Sequence, residues 1–139
     1  MIRVEVLNMG AVLLAYNIKD QEKKQALNRI FGFLGFKLKR VDKEAFNKPV
    51  GELVGLLPEK VQDEYKGDGF EDEMLVISTD NEETLNKALF LMREDKVQVS
   101  LKAMVTANNK EWSGLDLHKE IKKEHEYMNK RDEERKENK

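Results

Sequence analysis

The sequence predicts an α/β (α+β) domain, a small sheet layered against helices, and three patterns carry that expectation. Residues 11–16 (AVLLAY) and 74–77 (MLVI) are short continuous apolar runs, as in strands buried on both faces in the middle of a sheet. FKLKRV (36–41) and VQVSLKA (97–103) instead alternate apolar with polar residues, as a strand with one wetter face does. Between the members of each pair lies a helical stripe, LNRIFGFL (27–34) in the first and LNKALFLM (85–92) in the second. The chain therefore reads strand, helix, strand, then strand, helix, strand. With the apolar runs in first and third place, that is the ferredoxin-like split βαβ plan, in which the first and third strands are central.

Taken in order, residues 1–10 read as an N-terminal extension or an extra strand, since IRVEVL (2–7) precedes Asn8-Met9-Gly10 and Met9 offers an alternative start. The first helix presents Leu27, Ile30, Phe31 and Leu34 on one face, with Asp20 as N-cap and Gly35 as stop. Residues 42–73 are long for a hairpin loop and must be organised. VGELVGLLPEK (50–60) is expected to hold one or two helical turns ended by Pro58, and YKGDGFEDE (65–73) to be an acidic, glycine-punctuated connection. In the second helix Leu85, Ala88, Leu89 and Met92 form the apolar stripe, and Thr79 with Glu82 has the form of a capping box. Ser113 with Asp116 caps an added C-terminal helix whose inner side holds Leu117, Ile121, His125 and Met128. Residues 129–139 (NKRDEERKENK) have almost nothing to bury, so a charged tail, frayed or disordered, should follow a single domain over 11–128.

Composition narrows the functions. A chain of 139 residues is one domain with a tail, and its net charge of -2 gives no overall attraction to nucleic acid or an anionic membrane. With no cysteine there is no disulfide, thiol nucleophile or cysteine-based metal site. The longest apolar run, Gly10 to Tyr16, is far short of the roughly 20 residues that span a bilayer. A cytoplasmic protein is expected. The central strands supply aliphatic residues where an RNA-binding sheet wants stacking aromatics.

Candidate site residues cluster after the fourth strand. In LKAMVTANNKEW (101–112), Thr106, Asn108 and Asn109 are suited to hydrogen-bonding the backbone freed where a strand ends, or to contacting a ligand. Trp112 suits a hydrophobic plug or an interface anchor. Lys102 stands on the strand face opposite Val99 and Leu101, and with Lys37 and Lys39 would make a weak basic edge if the three shared a face. His118 and His125 lack the i, i+4 spacing of helical zinc motifs, and Asp68, Glu71, Asp72 and Glu73 do not match a calcium loop. No glycine-rich phosphate loop or nucleophile elbow is present, so no cofactor or catalytic residue is expected.

LKAMVTANNKEW and LHKEIKKEHEYM (117–128), with VGELVGLLPE and FEDEMLVIS upstream, resemble an uncharacterised bacterial domain-of-unknown-function family. Tyr16-Asn17 matches the end of the family's leading strand, and Lys102, Thr106, Asn109, Trp112, Glu124 and His125 match its closing pattern. Ala107 stands where a proline is expected after the threonine. The resemblance implies a compact domain and marks a region, but transfers no reaction.

One further demand follows from the strands. If the two helices cover one face of the sheet, the aliphatic residues on the other face need a cover, from the C-terminal helix or from a second copy of the chain. The expected function is therefore a small non-catalytic binding or regulatory module, a homodimer or one with a protein partner. The alternative is a small-ligand sensor or enzyme whose pocket lies around Thr106 to Trp112, Gly51 to Pro58 and the end of the first strand.

Overall fold

Residues 12–16 and 74–78 pair antiparallel, Val12 opposite Ser78 through Tyr16 opposite Met74, and of these ten only Ala15 is not buried. In the computed structural model, which describes residues 11–137, they are the central strands β1 (Val12–Tyr16) and β3 (Met74–Ser78). The expected extension or extra strand at 1–10 lies outside the described residues. The remaining elements are α1 (Gln21–Phe33), β2 (Lys37–Val41), a 3-10 turn at Lys43–Ala45, α2 (Val50–Leu53), α3 (Glu82–Glu94), β4 (Leu101–Met104) and α4 (Gly114–Glu137). Among the described residues the fold is α+β, a four-stranded sheet with four helices.

Strand order is β2-β1-β3-β4, so the apolar runs are central and the alternating segments lie at the edges, as their composition predicts. The connections differ from the ferredoxin-like expectation. β1 pairs parallel with β2, and β3 parallel with β4, so each helix joins neighbouring strands and passes over no intervening one. The sheet is two plain βαβ units placed antiparallel, not a split βαβ. The reason lies in residues 42–73: a tight hairpin would have forced β2 beside β3, whereas so long a connection leaves β2 free to pair with one edge of β1 while β3 takes the other. There two strands that are apolar on both faces bury each other's flanks.

Strand parity divides the core in two. Leu13, Leu75 and Ile77 point to the face covered by α1 and α3, where they meet Leu27, Ile30, Phe31, Ala88 and Met92. Val12, Leu14, Tyr16, Met74 and Val76 point to the other face and meet Phe46, Val50 and Val54 of the 42–73 connection and Leu117 of α4. The cover that this face demanded is thus supplied within the chain. Each large side chain so buried is worth roughly 1.5–3 kcal/mol relative to exposure.

Local signals explain most boundaries. Asp20 caps α1 by accepting from Lys23 N, and Gly35, at φ 87, turns the chain out of it. At α3 the cap is Asn81, whose side chain accepts from Thr84 N, two residues after the expected Thr79; Thr79 Oγ1 instead accepts from Asn81 N and not from Glu82 N. β4 begins only at Leu101 rather than Val97, because Lys96 at φ 58 and a Val97 N to Met92 O bond are still closing α3. Val99 nevertheless reaches the helical core from this non-strand segment.

α4 is anchored at one end. Among the residues of α4 up to 131, Gly114, Leu117 and His118 are buried, Leu115, Ile121 and His125 are half-buried, and 126–131 are exposed. Gly114 allows the closest approach, since a Cβ there would lie 2.7 Å from Tyr16 Cε2. Tyr16 cannot step aside, being fully buried with the Phe46 and Phe70 rings at 5.4 and 5.9 Å. Gly114→Ala is expected to destabilise by about 1–3 kcal/mol in urea denaturation. Gly32→Ala, in α1 with nothing within 4 Å of the added carbon, should be neutral or gain up to about 1 kcal/mol.

Candidate functional site

The corner after β4 is held by Asn109. Its Oδ1 accepts from Thr106 N at 2.8 Å, its Nδ2 donates to Met104 O at 3.0 Å, and its own N donates to Thr106 Oγ1 at 3.2 Å. Both ends of the amide are therefore engaged by the chain itself. The corner then serves α2: Lys110 O accepts from Gly51 N at 2.7 Å, and Trp112 O accepts from Val50 N at 2.9 Å. A one-turn helix cannot satisfy its own first N–H groups, and these carbonyls do so. Gly51 is required there, because a Cβ would sit 2.6 Å from Lys110 O.

The other sequence candidates do not gather around this corner. Trp112 is used through its backbone carbonyl, and its side chain is 38 % exposed rather than a buried plug. Lys102 lies on the opposite edge of the sheet from Lys37 and Lys39, and on the other face, so the three form no basic edge. Its Nζ donates to Val99 O at 2.7 Å, and partial burial pulls its pKa down. Glu124 is exposed and His125 half-buried on α4, beyond the part of the helix that packs on the sheet.

A second constellation joins the start of α4 to the end of the 42–73 connection. Asn17, in the left-handed region at φ 62 that asparagine tolerates, donates through Nδ2 to Phe70 O at 2.7 Å and Asp72 O at 3.0 Å. Asp72 Oδ2 lies 2.8 Å from His118 Nε2 and 3.2 Å from Lys122 Nζ. The carboxylate can only accept, so the imidazole donates from Nε2. His118 is buried and stacks on Phe70, centroids 3.8 Å apart and 5° between planes. The hydrogen bonds from His118 and then Lys122 hold the Asp72 carboxyl below its ordinary value. Asp72 and His118 are 46 residues apart, so no local spacing announces the pair; the sequence pattern placed His125 on the inner side of the helix, whereas the buried histidine is His118, next to Leu117.

Between α2, the residues that follow it and the start of α4 lies a cleft of about 630 Å³. Asn47, Glu52, Leu57, Lys60, Glu111 and Asp116 are among its lining residues. Part of the expected pocket is therefore present: Glu52, Leu57 and Pro58 come from the Gly51 to Pro58 segment, and Glu111 borders Trp112. Thr106, Asn109 and the end of β1 do not line it. Glu52 is only 6 % exposed, and no cation lies within 4 Å of it among the described residues. The sequence signal was VGELV, one carboxylate in a turn otherwise apolar.

Two substitutions separate these roles. Asn109→Ala removes the two side-chain hydrogen bonds at the corner and should destabilise by about 1–3 kcal/mol in urea denaturation. Because Asp72 has a lowered folded pKa, its pair with His118 and Lys122 contributes fully above the ordinary carboxyl value of 3.8 and is lost as pH falls through the lower folded value. With the Asp72 side chain 42 % exposed, solvent screening limits that contribution, and Asp72→Asn should cost about 1 kcal/mol at neutral pH. Urea midpoints measured down the pH scale should converge for wild type and Asp72→Asn at the acid end.

No curated protein and no solved structure matches the chain. Among the described residues no helix is long and apolar enough to cross a membrane. One protein family does match, a domain of unknown function (DUF3783), over residues 73–128. That span takes in β3, α3, β4, the Asn109 corner and α4 as far as Met128, and with them Lys102, Thr106, Asn109, Trp112, Glu124 and His125. It is this second βαβ unit and the helix after it that match the family, whose domain is one of unknown function.

Proposed function

We propose that the chain is a small non-catalytic binding module whose ligand enters the cleft between α2 and the start of α4. One observation carries the reading: a buried carboxylate, Glu52, lines that cleft with no cation within 4 Å among the described residues. A carboxylate drawn out of water with no counter-charge beside it is a group for which a partner is expected. The volume is in the range of small-molecule pockets, which run from roughly 300 to 1,000 Å³.

The groups best suited to chemistry support the same reading. Asn109 is spent on the corner. The Asp72 and His118 pair has the elements of a general base, but the imidazole is buried under the Phe70 ring and the carboxylate is shared with Lys122. This is the geometry of a clamp between connection and helix. Self-association loses its main argument, since the apolar sheet face is covered by the chain's own 42–73 connection and α4.

Titration of ¹⁵N-labelled protein with separate pools of amines, carboxylates, sugars and nucleotides tests the proposal. One pool should shift the Asn47 side-chain amide and the Lys60 and Gln62 backbone signals, and should do so equally in His118→Asn. Shifts confined to His118 and its neighbours, or turnover of a pooled compound lost in His118→Asn, would overturn it.

A further inference from the structure

We infer that the cleft takes an organic cation with several N–H donors and an alkyl stem, an alkylammonium or alkylguanidinium. This rests on the binding-module reading and names its ligand class. The buried polar groups that the protein leaves incomplete there are acceptors. Glu52 receives a single hydrogen bond, from Lys60 N to Oε1 at 3.3 Å, longer than an ordinary N–H···O contact. Asn47 Oδ1 is buried and has no partner, and its orientation is fixed because Nδ2 on the same amide donates to Asp63 O at 3.1 Å. A carboxylate in the lining with one long hydrogen bond, and a partnerless amide oxygen on another lining residue, call for a donor, and the carboxylate calls for a charged one.

Charge around the cleft points the same way. Glu52, Glu111 and Asp116 set three carboxylates against the single ammonium of Lys60, so an anion is repelled and a cation drawn in. A bare metal ion fits less well, because among the described residues no three His, Asp or Glu side chains converge closely enough to hold one. Carboxylates that do not converge on one point are better met by an extended donor. Leu57 and Pro58 supply apolar wall against which a methylene stem can lie while its charged head meets Glu52.

The cation has two sources, a free small amine or a basic side chain of a peptide, and one experiment separates them. Agmatine, putrescine and an N-acetylated, C-amidated Gly-Arg-Gly peptide are titrated calorimetrically into the folded protein, with tetramethylammonium as a cation that has no N–H to donate. Binding by agmatine or putrescine supports the inference and names a free amine; binding by the peptide alone supports it and names a basic side chain. Glu52→Gln keeps the shape and the acceptor for Lys60 N, and should weaken binding about tenfold or more. Glu124→Gln, a carboxylate remote from the cleft, should bind as wild type does. Should Glu52→Gln fail to fold, Glu111→Gln combined with Asp116→Asn serves in its place and should weaken binding and flatten its salt dependence. Equal binding of tetramethylammonium, undiminished binding by the cleft variants, or no cation bound at millimolar concentration overturns the inference. If another class of compound still shifts Asn47 and Lys60, the binding-module reading survives that failure.

Discussion

The antiparallel pairing of β1 with β3 is the constraint from which the rest of this structure follows. Nearly every residue of the pair is buried, so neither face of the sheet can be left to water. A sheet of two βαβ units brings two helices, and right-handed crossovers from antiparallel halves place both on one face. The second face has no helix of that kind to call on. It is closed by what the chain has left, the irregular 42–73 connection and the first two turns of α4.

Closing a sheet with irregular chain leaves polar backbone to be satisfied, and the polar side chains of the molecule are distributed accordingly. Asn17 takes the Phe70 and Asp72 carbonyls at one end of the connection. Lys110 and Trp112 carbonyls take the first N–H groups of α2 at the other, held in position by Asn109. Asp72 then ties the connection to α4 through His118 and Lys122. The aromatic series Tyr16, Phe46, Phe70 and His118, with successive centroids 5.4, 4.7 and 3.8 Å apart, fills the space beneath these ties. Residues that look like chemistry in the sequence are mostly fastening this one cover.

What could be read from the sequence was what local periodicity encodes. Strand and helix identity, central against edge position, the Asp20 cap and the Ser113 cap on Asp116 N all follow from spacing within a few residues. The strand connections did not, because a β-α-β-β-α-β order fits both plain and split crossovers, and the choice depends on how a long loop packs. Asn109 could be recognised as a corner residue from its type, while the use of the Trp112 carbonyl rather than its indole could not. Asp72 with His118, and Glu52 with Asn47, are pairs made by tertiary placement, and the sequence holds only their weak traces: a histidine next to Leu117 and a glutamate among valines and leucines.

The position of Glu52 is itself a product of that cover. α2 has a single turn, and its neighbours Val50 and Val54 must point to the sheet, where both are buried. Its N-terminal N–H groups are claimed by the corner, which fixes its rotation about its own axis. With those two requirements met, Glu52, two residues from each, is turned away from the sheet, and the chain that folds back after α2, with Lys60 N on Oε1, covers it to 6 % exposure. A leucine or a glutamine would satisfy the same packing without a buried charge. The fold explains where the side chain points but supplies no reason for a carboxylate there, and that unspent requirement separates this cleft from the fastenings around it.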